Sequence, residues 1–104
     1  VKSFCTKNIY LPFDAINLNI LVDTYWKLFL YAGEYLSQGL IDALPIILRE
    51  KKYDFYSLFL EMEGKVFSSP RIFKACIRVG QNSLTPERND LSGMLILDGV
   101  IYAN

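Results

Sequence analysis

The sequence predicts a mostly α-helical domain, an irregular bundle of four to five short helices spanning residues 1–104. Three observations predict it. Leu, Ile and aromatic residues recur at helical spacing through residues 14–37. Side-chain caps recur at Asp14, Asp54, Ser69-Pro70 and Thr85-Pro86, where a carboxylate or hydroxyl can accept from the free amides of a first turn. Glycines at 39, 64 and 80 stand where left-handed C-terminal caps are expected. Hydrophobic residues make up 52% of the 104 and charged residues 21%, so the chain can bury a core and is not a disordered tail.

The elements follow in order. Pro12 biases Leu11 toward extended backbone, which makes Ile9-Tyr10-Leu11-Pro12-Phe13 a packed lead-in or a short N-terminal edge strand. A first helix runs from Asp14 to about Ser37. A second starts at Asp42, carries Pro45 in its first turn and ends in Arg49, Lys51 and Lys52, complementing the helix dipole. Asp54 caps a third over residues 55–62, closed by Gly64. Ser69-Pro70 opens a fourth over residues 70–79, and Thr85-Pro86-Glu87 opens a fifth. For the last stretch a C-terminal hairpin is the alternative, with Asp98-Gly99 turning between residues 94–97 and 100–103. The expected core includes Ile20, Leu21, Tyr25, Leu28, Phe29, Leu36, Ile47, Phe55, Phe59, Met62, Phe73, Cys76 and Leu95.

Composition excludes several function classes. There is no histidine, which removes the commonest general base, metal ligand and Cys–His or Ser–His–Asp partner. Cys5 and Cys76 are the only thiols, too few for a zinc set, and read as a reduced pair in a cytoplasmic protein. No Walker A loop and no Gly-x-Gly-x-x-Gly is present, so no nucleotide cofactor is expected. Eleven Lys and Arg balance eleven Asp and Glu, which argues against a general polyanion binder. Residues 15–36 are apolar but carry Asn17, Asn19, Asp23, Lys27 and Glu34, too many polar groups for a membrane span, and no signal peptide is visible. The expectation is a protein without enzymatic activity, cofactor, metal or membrane partner.

What remains is surface. On a helical wheel Asp23, Lys27, Glu34 and Gln38 share a stripe with Leu30 at its centre and Tyr31 at its edge, an apolar and aromatic cluster rimmed by acids. Asp54, Glu61 and Glu63 give the third segment an acidic character. The candidate partner-binding residues are therefore Asp23, Leu30, Tyr31, Glu34, Asp54, Glu61 and Glu63. An alternative basic face comprises Lys65, Arg71, Lys74 and Arg78, the last three recurring at i, i+3 and i+7 on the expected fourth helix. That face would suit a small nucleic-acid-associated regulator. A helix-turn-helix over the third and fourth segments fails, because Leu60 falls where a small residue is needed, and nucleic acid is disfavoured. An oligomeric structural or adaptor protein, pairing through its exposed apolar stripe, is the further alternative.

Read as a complete chain from Val1-Lys2-Ser3-Phe4 to Val100-Ile101-Tyr102-Ala103-Asn104, the protein combines 7 Tyr, 7 Phe and Trp26 with capped short segments such as Ser69-Pro70-Arg71-Ile72-Phe73 and lacks every catalytic constellation. In this overall character it resembles the small cytoplasmic immunity proteins of bacterial toxin systems, including those of contact-dependent growth inhibition. The resemblance implies an inhibitor that binds a cognate protein toxin, such as a nuclease domain with a basic substrate surface. The acids would then act around an aromatic centre.

Overall fold

Two residues in left-handed backbone, Glu63 (φ 53°) and Gly64 (φ 76°), turn the chain back on itself between Met62 and Lys65. Two consecutive positive φ angles make a type I′ turn, whose twist matches that of the strands it joins. Gly64 is therefore a hairpin glycine and not a helix stop. The computed structural model describes residues 25–80 and 84–103. In it strand accounts for 49% and helix for 16%, which overturns the all-helical expectation.

The elements in chain order are β1 (Trp26–Leu28), β2 (Glu34–Leu36), α1 (Gln38–Arg49), β3 (Phe55–Met62), β4 (Lys65–Lys74) and β5 (Gly93–Ala103). They form one sheet of order β1-β4-β3-β5-β2, antiparallel except for the parallel β3–β5 pair. The two edge strands are consecutive in sequence and joined by residues 29–33 alone. Four strand spacings of a flat sheet would separate them by about 19 Å; the connection spends part of its length on a turn in which Glu34 N donates to Tyr31 O, and the sheet curls into a half-barrel.

Helix α1 lies in the hollow. Leu40, Leu44 and Leu48, one turn apart, are buried and pack with Tyr56, Leu58, Ile72, Ile96 and Ile101. The Ser37 hydroxyl caps the helix by accepting from Leu40 N (3.4 Å) and also accepts from Val100 N (3.0 Å), so the cap fixes the helix to β5. The helix expected from Asp42 thus starts four residues earlier and contains Gly39 in its first turn. Gly39 is there because of its size: a Cβ would meet the Asp98 carbonyl, while a Cβ on Gly99 would meet Ser37 Oγ and Leu40 N. Asp98-Gly99 is no hairpin turn. The β3–β5 register passes from Leu58↔Ile96 to Phe59↔Val100, so residues 97–99 bulge out of one continuous strand.

On the opposite, convex face a second cluster forms where Phe73 packs between Phe55 and Phe29, with Ile77, Val79, Leu84 and Leu91 around it. The expected fourth helix over residues 70–79 is the end of β4 followed by a loop. Pro70 sits beside a bulge at Arg71, where a missing N–H is tolerated. Thr85-Pro86 opens no helix either; Pro86 forms an isolated bridge with Val79. Of the expected core, Phe73 is buried and Leu28, Phe29, Leu36, Ile47 and Phe55 pack against the two clusters, whereas Tyr25, Met62 and Cys76 are exposed. The first helix expected over residues 14–37 overlaps β1 and β2 at its end; its earlier part, with Ile20 and Leu21, lies outside the described residues, as does the lead-in strand. No helix among the described residues is long and apolar enough to cross a membrane.

Candidate protein-binding surface

The candidate residues separate into two groups. Glu34 and Arg71, drawn from the acidic and the basic sets, pair with each other. Arg71 Nη1 donates to Glu34 Oε1 at 2.6 Å and Nη2 to Oε2 at 2.9 Å, with side chains only 3% and 7% exposed. Arg71 also donates from Nε to Ser69 Oγ and from Nη1 to Phe29 O, and its guanidinium lies 5.2 Å from the centre of the Tyr31 ring. Tyr31 N donates to Glu34 Oε1 at 2.6 Å. Burial pushes the Glu34 carboxyl up, but the hydrogen bonds from Arg71 and Tyr31 and the Arg71 charge pull harder, so it sits below the ordinary 4.5. These groups satisfy one another and fasten the loop between the two sheet edges. Glu34 and Arg71 face each other and present almost no side-chain surface, while Leu30 and Tyr31 stand exposed on that loop.

The other basic residues do not form a helix face, because β4 is a strand. Lys74 Nζ meets Asp54 Oδ1 at 3.0 Å, and Asp54 Oδ2 accepts from Ser92 N and Oγ. Asp54 therefore ties β3, β4 and the entrance to β5 together; the Ser92 amide first, then Lys74, hold its carboxyl below the usual 3.8. Arg78 pairs with Glu87 at 3.3 Å on the surface. Lys65 opens β4 at the hairpin turn. Asp23 lies outside the described residues.

Glu61 and Glu63 are different. Neither has an ion pair with another described residue. Alternation along each strand and the register across strands place Glu61 on the convex face, opposite Val66 on β4 and Tyr102 on β5, with Tyr35 of β2 opposite Tyr102 in turn. This row crosses four strands. Val66 is 57% exposed, Tyr35 52% and Tyr102 37%, and the two tyrosine rings stand 5.3 Å apart. Phe59 and Val100, half-buried, form the next row. Glu63 follows at the turn. This surface combines exposed aromatic area, which costs little side-chain entropy to bury, with a carboxylate that no described cation pairs.

Sequence reasoning names Glu61 and Glu63 as candidates but does not name their row neighbours Val66, Tyr102 and Tyr35. The signal was the alternation on both sides of Glu63-Gly64, which reads as a hairpin once that dipeptide is taken as a turn. Among the described residues no three Cys, Asp or Glu side chains gather into a group that could hold a metal ion. No protein-family model, curated protein or solved structure matches the chain.

Proposed function

We propose that the protein is a non-enzymatic, protein-binding inhibitor of the immunity-protein type. It acts in the cytoplasm and neutralises a cognate toxin domain by covering a basic surface. The observation that carries this reading is Glu61: a half-buried residue whose carboxylate has no ion pair with a described cation, set between Val66 and Tyr102 in an exposed aromatic row. A carboxylate desolvated at an interface is costly unless the partner supplies a Lys or Arg. The aromatic neighbours supply the area that anchors such a contact. Glu63 adds a rim charge that steers a basic partner without being buried.

The test begins with the tagged full chain as bait in its native host, washed at high salt, followed by affinity measurements on the purified partner. The expected result is one stoichiometric protein partner whose affinity falls about 10- to 100-fold with Glu61→Lys and with Tyr102→Ala, while the melting temperature stays near that of the parent. Affinity unchanged by both substitutions would remove this surface from the reading. Nucleic acid released by salt would replace the inhibitor reading altogether.

A further inference from the structure

We propose that the edge of β4 over residues 65–69, which no described strand covers, pairs with the same edge of a second copy of this chain, in an antiparallel arrangement centred on Phe67. The inference is independent of the inhibitor reading. On its outer side β4 is paired with β1 only through Ile72, Phe73 and Lys74, and the last bond of that ladder is Phe29 N donating to Arg71 O at 2.9 Å. Residues 65–69 have β3 on one side and no described strand on the other.

The turn fixes which backbone groups face that open side. A two-residue turn is closed by a hydrogen-bonded pair, here Met62 and Lys65, and such pairs recur every second residue. Leu60 with Phe67 and Leu58 with Ser69 are therefore the next two. The N–H and C=O of Lys65, Phe67 and Ser69 point to β3, and those of Val66 and Ser68 point outward. The outward set is symmetric about Phe67.

A two-fold axis through Phe67 places Val66 of each copy opposite Ser68 of the other. Each such pair exchanges two N–H···O bonds, so all four outward groups of each copy are satisfied. Slipping the register by two residues brings Val66 opposite Pro70, which has no N–H, or Ser68 opposite Gly64 in the turn. In the centred register the two Phe67 residues form a non-hydrogen-bonded pair, the kind in which side chains come closest. Phe67 lies on the same face as Leu60 and is 47% exposed, so the pairing removes it from water. Lys65 falls opposite Ser69, and no like charges face each other. Eleven positive and eleven negative residues leave no net charge to repel a second copy. The charge-free stretch Val66-Phe67-Ser68-Ser69 carries none of the lysines or inward charges that commonly block an edge; Lys65 and Pro70 bound it.

The experiment is light scattering of the full chain over a concentration series, with amide hydrogen exchange at low micromolar and at millimolar concentration. The mass is expected to rise toward twice the monomer value. Val66 and Ser68 amides should exchange about tenfold more slowly at the higher concentration, while Lys65, Phe67 and Ser69 stay protected throughout. Ser68→Pro, which removes an outward N–H, and Phe67→Lys, which sets two cations at the axis, should each hold the mass at the monomer. A mass that never rises overturns the proposal. So does a dimer that persists in both variants, or one whose Val66 and Ser68 amides exchange at the same rate at both concentrations.

Discussion

The Arg71 guanidinium and the Glu34 carboxylate meet through two parallel hydrogen bonds although their strands, β4 and β2, are three positions apart in the sheet. On a flat sheet that separation would be about 14 Å. The ion pair is thus possible only across the hollow of the half-barrel, and it holds the loop of residues 29–33 in place. Arg71→Met leaves the Glu34 charge buried alone and is expected to cost about 3–5 kcal/mol. Combining it with Glu34→Met should recover most of that loss, because two apolar groups replace two charges. Urea denaturation of the two single variants and the double variant measures the coupling.

Acid should unfold the protein through the same pair. The Glu34 and Asp54 carboxyls sit below their ordinary values of 4.5 and 3.8, so the unfolded chain binds protons more tightly than the folded one. Their contribution is complete above those ordinary values and is lost as the pH falls below them, through the depressed folded values. The urea midpoint is expected to fall steeply once the pH drops under 4.5. The Arg71→Met, Glu34→Met double variant should show a shallower acid limb. Equal limbs would mean that Glu34 takes no part in acid unfolding.

Gly39 and Gly99 should tolerate alanine poorly for a reason that Gly64 does not share. A Cβ at Gly39 meets the backbone carbonyl of Asp98, and one at Gly99 meets Ser37 Oγ and Leu40 N, where helix cap and β5 bulge touch. Each Ala substitution is expected to cost about 1–3 kcal/mol by forcing the helix from the sheet. At Gly64 nothing lies within 4 Å, and the cost is the positive φ alone, about 1 kcal/mol. Thermal melts of the three variants distinguish steric from torsional strain, since only the first two should also weaken protection of the Val100 amide.

Glu63 occupies left-handed backbone without being glycine or asparagine. Glu63→Asn creates the Asn-Gly pair that type I′ turns favour and is expected to stabilise the fold by about 0.5–1 kcal/mol. Under the inhibitor reading the same change weakens partner binding, since it removes an acid from the rim. A melt and an affinity titration on one variant would show both effects.

The part of this architecture legible in the sequence was local, and the part that was missed was pairing. The basic end at Arg49 marks the end of α1, but Ser37 and not Asp42 caps its start and Pro45 lies inside the helix and not in its first turn, because the hold of Ser37 on the Val100 amide is invisible without β5. Phe55-Tyr56-Ser57-Leu58-Phe59-Leu60 reads as continuous apolar sequence since β3, at the centre of the sheet, has apolar packing on both faces. Period cannot separate that from a helix. Ser69-Pro70 mimics a helix start because the bulge at Arg71 accepts proline for the reason a first helical turn does: no partner needs its N–H. Glu61 is a candidate from sequence alone because an acid beside apolar residues stands out in one dimension. Tyr35 and Tyr102 could not be joined to it, as 67 residues separate them and only the sheet register makes them neighbours.

That both rims of the half-barrel are encoded before its middle sets the order in which a nascent chain can be completed. During synthesis β1 and β2 leave the ribosome before the other described strands, but β1 pairs with β4 and β2 with β5. Neither has its partner among the described strands until the β3–β4 hairpin and then β5 emerge. Until then Trp26, Leu28 and Leu36 stay in water, and a chain stalled before Gly93 carries both rims with only one of them able to dock. Domains built in this way cannot fold vectorially. Their closure waits for the arrival of β5, after which the Arg71–Glu34 bond can form as a final clasp.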